Sequence, residues 1–145
     1  MDPHNRFHTP STWALVRLEH VALIVVLAAA TLLHFDEVRL GPFILAFVAI
    51  DVVGYLPGAV AYRKAKGGTI APVYHHLYNV AHSFLTAGLV IAVWAYLHGG
   101  LEWAMTALPI HLCGDRGLFG NTYKPVALPF EPRPVDPSTV LGVRP

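Results

Sequence analysis

The sequence predicts an all-α fold: a four-helix transmembrane bundle with short loops and an extended Pro-rich C-terminal tail. Three observations predict it. The 145 residues are 54% hydrophobic and only 13% charged, against about 25% charged in an ordinary soluble domain. Four stretches have the length of roughly 20 residues that a bilayer's hydrocarbon core demands. The basic residues gather on one side of those stretches, as membrane insertion favours.

A polar segment over residues 1–12 precedes the first span, 13–33, whose centre is the unbroken apolar run Val21–Ala30. Ala28-Ala29-Ala30 resembles a signal cleavage site. The apolar run continues to Leu33, however, and Glu19 interrupts its start, so a retained span is the expectation. The second span, 42–62, opens on Pro42, a residue suited to a first helical turn. The third covers 73–97 and the fourth 101–119, separated by Gly99-Gly100, a tight turn that sets the two antiparallel. Pro57 and Pro109 fall inside the second and fourth spans, where neighbouring helices can satisfy the carbonyls they free. Residues 121–145 contain six prolines and no helical periodicity, which predicts an extended cytoplasmic tail.

Orientation follows from the ten Lys and Arg residues. Arg6 and Arg17 precede the first span, and Arg63, Lys64 and Lys66 separate the second from the third. Arg116, Lys124, Arg133 and Arg144 close the fourth span or follow it. Only Arg39 lies on the other side, which predicts an inner-membrane protein with both termini cytoplasmic. Trp13, Trp94, Tyr96 and Trp103 sit near span ends, as an aromatic belt would. The formal charge of +1 and the lack of any basic run with interleaved aromatics give no support to nucleic-acid binding. Cys113 is the single cysteine, so no intrachain disulfide forms. No phosphate-cradling loop or nucleophile elbow is present.

Ionisable groups inside a span are costly and call for a partner or a purpose. Glu19 and Asp115 lie roughly 7 Å inside the cytoplasmic boundary, and His82, His111 and Asp51 roughly 13–16 Å inside, at 1.5 Å rise per residue. His111 and Asp115 are four apart and share a helical face; His75, Asn79 and His82 share another. Glu19, Asp51, Asn79, His82, His111 and Asp115 thus converge on one polar pocket in the cytoplasmic half of the bundle. Carboxylates and imidazoles meeting inside a bundle suit a transition metal. His82, His111, Asp115 and Glu19 are the ligands expected, with Asp51 and Asn79 behind them. The Glu-x-x-His pairs of soluble di-metal bundles are absent, as are the repeated histidine boxes of membrane hydroxylases. A hydrogen-bond network that only holds the helices together, and a proton or ion path, stay open beside the metal.

The set of motifs resembles a family. Arg17-Leu18-Glu19, Asp51-x-x-Gly54-Tyr55-Leu56, Tyr78-Asn79-x-x-His82 and His111-x-x-x-Asp115-Arg116-x-Leu118 are similar in order and spacing to the small bacterial membrane proteins grouped as domain of unknown function 4260. The resemblance covers about residues 15–125. It implies four helices and supplies no activity. Where that family tends to continue with a Leu-Gly-Tyr-Gly-Leu-Lys-Tyr-like stretch, this chain has Phe119-Gly120-Asn121-Thr122-Tyr123-Lys124-Pro125, followed by the Pro-rich tail. Two functional classes follow from the sequence. One is a membrane-embedded protein whose pocket holds a metal or small polar ligand. The other is an accessory subunit in contact with lipid and with other membrane subunits, the tail serving as its docking segment.

Overall fold

The computed structural model describes residues 9–131. Among these, every regular element is helical. Helix α1 spans Pro10–Leu33. Thr9 caps it: its hydroxyl accepts from the Thr12 amide, and the Thr12 hydroxyl accepts in return from the Thr9 amide. Helix α2, Leu40–Ile50, runs through a π turn at Asp51–Tyr55 into α3, Leu56–Lys64. Pro57 explains the wide turn. It has no N–H for the Val53 carbonyl and its ring presses on that group, so the backbone opens just upstream.

The third predicted span is not one straight helix. Helix α4, Pro72–Ala81, stops at His82, and α5, Phe84–His98, leaves at a 55° bend. Ser83 is extended and its hydroxyl caps α5 by accepting from the Leu85 amide. From the other side Arg116 donates to the His82 carbonyl at 3.2 Å, satisfying a C-terminal group of α4. Helix α5 ends at Gly99, whose φ of 75° only glycine adopts without strain, as the Gly-Gly turn predicts.

The fourth predicted span also differs in form. It is a 3-10 turn at Trp103–Thr106, then α6 at Ala107–Gly114, then a second π turn at Asp115–Phe119. Pro109 falls in the first turn of α6, where no N–H is required of it. This stretch is the centre of the fold and the most buried part of it. Its Ala104, Met105, Leu108 and Leu112 pack with Ile50 of α2 and Ala87 of α5 into the main apolar core.

Helices α1 and the continuous α2–α3 rod are 24 and 25 residues long and apolar enough to cross a membrane; the bent α4–α5 pair counts as a third if it is one span. Their outward faces are apolar too. Leu18, Val25, Leu45 and Leu89 are each more than half exposed, and Thr31 is the one buried residue of α1. A face of this kind is stable against hydrocarbon and not against water.

Helix α1 is fastened to the centre at two levels. Thr31 and Thr106 pair through their hydroxyls at 2.8 Å. At the other end Arg17 donates to the carbonyls of Gly117 and Leu118, at 3.0 and 2.8 Å. Gly117 lets the helices touch there, because a Cβ would lie 3.0 Å from the Val21 amide nitrogen. Arg17→Ala removes two charge-assisted bonds from a part-buried site and is expected to destabilise the protein by about 2 kcal/mol. A thermal-unfolding midpoint in detergent reads the loss, and Arg17→Lys recovers only part of it because the fork geometry is gone.

After Gly120, at φ 72°, the chain turns back as a strap over residues 121–131. Its anchor is Phe130, which is fully buried beside Ala59 and Tyr78. A Cβ on Gly58 would overlap the Phe130 ring, so glycine opens the seat for it. The Asn79 side chain grips the strap by donating to the Lys124 carbonyl and accepting from its amide, at 3.0 and 2.7 Å. Tyr55 donates to the Glu131 carboxylate at 2.6 Å, and His75 Nε2 to the Leu128 carbonyl at 3.2 Å. The described part of the predicted tail therefore packs on its own chain; residues 132–145 of that tail, and 1–8 of the predicted N-terminal segment, lie outside the described residues.

Candidate metal centre

Three of the four groups in the polar cluster stand at interruptions of helical geometry. Asp51 and Asp115 each begin a π turn, and His82 is the C-terminal cap of α4 at the bend. His111 lies on α6 one turn before Asp115. A π turn carries one residue more than an α turn, which re-aims the side chain at its start. Gly54 in the first π turn completes the approach: a Cβ there would meet Ala81 Cβ at 2.6 Å and His82 Nδ1 at 3.0 Å. Helix α4 seats against bare backbone and brings His82 to Asp51.

The four side chains point at one spot. His82 Nε2 lies 3.3 Å from Asp51 Oδ1 and 3.4 Å from Asp115 Oδ2. His111 Nε2 lies 3.7 Å and 3.6 Å from the same two oxygens. Asp51, His82 and His111 each offer a ligand atom within 4.8 Å of the others. Both histidines are buried, Asp115 is 18% exposed at its side chain, and Asp51 is 52% exposed. His111 Nε2 and Asp115 Oδ2 are fully enclosed, with no hydrogen-bond partner among the described residues. Buried polar atoms left this way are costly.

His82 is oriented for that role. Its Nδ1 donates to the Tyr78 carbonyl at 3.0 Å, since a carbonyl only accepts. In the neutral ring this places the free lone pair on Nε2, which faces the centre. The Tyr78 ring stacks on His82, centroids 3.8 Å apart and 15° from parallel, and Phe47 meets His111 edge-on at 4.8 Å. Arg116, between the rings of Phe84 and Tyr123, fixes the carbonyl of His82 from outside.

Of the six residues the sequence singles out, the fold brings Asp51, His82, His111 and Asp115 together. Asp51 stands as close to His82 as Asp115 does, and with His82 and His111 it forms the set that could hold a metal ion. Glu19 lies exposed on α1, and no ion pair among the described residues joins it to the cluster. Asn79 is spent on the strap, as described above. His75, on the same helical face as Asn79 and His82, is buried against Phe130. Sequence reasoning misses Tyr78, although its spacing of four from His82 places both on one face. It also misses Lys124, whose ammonium donates to the Phe130 carbonyl at 2.6 Å and sits over the Tyr78 and Phe130 rings. Burial holds that ammonium below the usual lysine range, an effect the Glu131 carboxylate partly offsets. Comparison with protein-family models, curated proteins and solved structures gives no match for this chain.

Proposed function

We propose that this protein is a four-span inner-membrane protein that binds one divalent transition metal ion, of the zinc class, through Asp51, His82, His111 and Asp115 on the cytoplasmic side of the bundle. The observation that carries the reading is the set of four N···O separations. A tetrahedral ion with bonds of 2.0–2.2 Å has ligand–ligand edges of about 3.3–3.6 Å. The four imidazole-to-carboxylate separations, four of the six edges of such a tetrahedron, are 3.3, 3.4, 3.6 and 3.7 Å, and the ligand atoms of Asp51, His82 and His111 lie within 4.8 Å of one another, a set that does not include Asp115. Imidazolium–carboxylate hydrogen bonds would draw N and O to about 2.7–2.9 Å, and none of the four pairs reaches that distance. Charge supports the same reading. Two carboxylates, two neutral imidazoles and one divalent cation sum to zero, which suits burial in a low-dielectric bundle.

The end of the bundle bearing Arg17, Arg63, Lys64 and Arg116 is the cytoplasmic end in this reading, by the same charge rule as before. The motifs that resemble the domain of unknown function 4260 proteins contain all four of these residues. The accessory-subunit reading gains nothing from residues 121–131, which seat on the chain itself. Equilibrium dialysis of the purified protein against buffered zinc tests the proposal. One ion per chain is the expected result, and a well-folded protein that retains none would end it.

A further inference from the structure

Resting on the metal reading, we propose that the centre opens sideways into the membrane and accepts the oxygen-donor headgroup of a membrane-dissolved amphiphile. Aromatic rings and the strap cover one side of the centre. Tyr78 lies flat on His82 and is itself buried, and Phe130 and the strap lie beyond it, pinned by Asn79 and Tyr55. The apolar core of Leu108, Leu112 and Ile50 fills the interior. Of the four side chains Asp51 is the most exposed, at 52% against 18% for Asp115 and 5–6% for the histidines.

Asp51 is the twelfth residue of the 25-residue α2–α3 rod, so it sits about 16–20 Å from either end, well inside the span. Val48 and Phe47, three and four residues earlier, share its face, and Val52 adjoins it; all three are exposed. An isolated carboxylate exposed at that depth is unfavourable, whereas one shared with a metal ion, in contact with an arriving ligand, is not. Asp51 is also the most exposed of the four, and its ion pairs among the described residues are those with the two histidines. When it swings outward it leaves three protein ligands and an open position, the arrangement of reactive zinc sites. A cation held by imidazole and carboxylate favours an oxygen donor there. Access between Phe47, Val48 and Val52 requires that the donor arrive on a hydrocarbon chain.

The test uses zinc-loaded protein in lipid nanodiscs and two chelators of similar size. 1,10-Phenanthroline dissolves in hydrocarbon; dipicolinate, a dianion, stays in water. With each rate scaled to the same chelator's rate on a water-exposed zinc peptide, phenanthroline is expected to strip the metal at least tenfold faster. Val48→Trp narrows the opening without adding charge and should slow phenanthroline at unchanged zinc content. Equal or faster loss to dipicolinate, or a rate untouched by Val48→Trp, would overturn the lateral route while leaving the metal centre intact. Protein that holds no zinc at all would instead remove the metal reading itself. With cobalt(II) in place of zinc, dodecanoylhydroxamate should shift the visible absorption bands at a concentration where acetohydroxamate does not. Equal shifts with both would overturn the amphiphile assignment.

Discussion

Alanine at His82 or at His111 is expected to lower zinc affinity by more than 100-fold each, leaving purified protein with no stoichiometric metal. Loss of a residue that merely orients a ligand costs about 10–100-fold, and loss of the ligand itself costs more. The two variants differ in their structural effect. His111 sits in the packed interior of α6, against Phe47, so its removal also leaves a cavity. His82 is a helix-end residue whose backbone makes the Arg116 contact, and the alanine variant keeps that contact. Asp51→Asn should weaken the metal as strongly, because the amide carries no charge to offset the cation. Glu19→Gln and Asn79→Ala should leave metal content unchanged, since neither side chain reaches the cluster. Metal analysis after gel filtration reads all five.

Phe130→Ala should free the strap from the bundle while the helices stay folded. Truncating a fully buried phenylalanine costs about 3–5 kcal/mol in a core that cannot collapse. The remaining grip on residues 121–131 is a handful of hydrogen bonds at the water boundary, each worth about 1 kcal/mol net. Local opening is therefore the expected response, not global unfolding. The Lys124 amide, bonded to Asn79 Oδ1, reports on it directly: its hydrogen exchange should accelerate by about 100-fold or more. Unchanged exchange would mean that the strap is held by something other than its aromatic anchor. Filling the seat from the other side, with Gly58→Leu, should give the same result, because the ring and the new side chain claim one volume.

Residue periodicity and charge placement carry the helical class, the apolar lengths of α1 and α2–α3, and the Gly99 turn. They carry the convergence of His82, His111, Asp51 and Asp115 as well, because depth along a helix is a matter of counting. Four things were not legible from that counting. The bend at His82 depends on Ser83 as a cap and on Arg116 from a distant element, and an apolar run of the right length hides both. The π turns re-aim Asp51 and Asp115 by one residue, which breaks the 3.6-residue count used to rank them. Phe130 looks like one more apolar residue in a proline-rich segment. Its partners, Gly58, Ala59 and Tyr78, are residues whose only sequence mark is small size or aromaticity. Arg17 reads as topology-setting charge, whereas the fold uses it to cap the end of the central helix.

Zinc K-edge X-ray absorption of the loaded protein tests the central claim most directly. Two imidazole rings and two carboxylate oxygens predict four nitrogen and oxygen neighbours at about 2.0–2.1 Å, with outer-shell scattering from two histidines. His82→Ala should remove one histidine's share of that scattering. A sulfur neighbour at about 2.3 Å, which only Cys113 or one of the two methionines would supply, would contradict the account, as would a shell of oxygens alone.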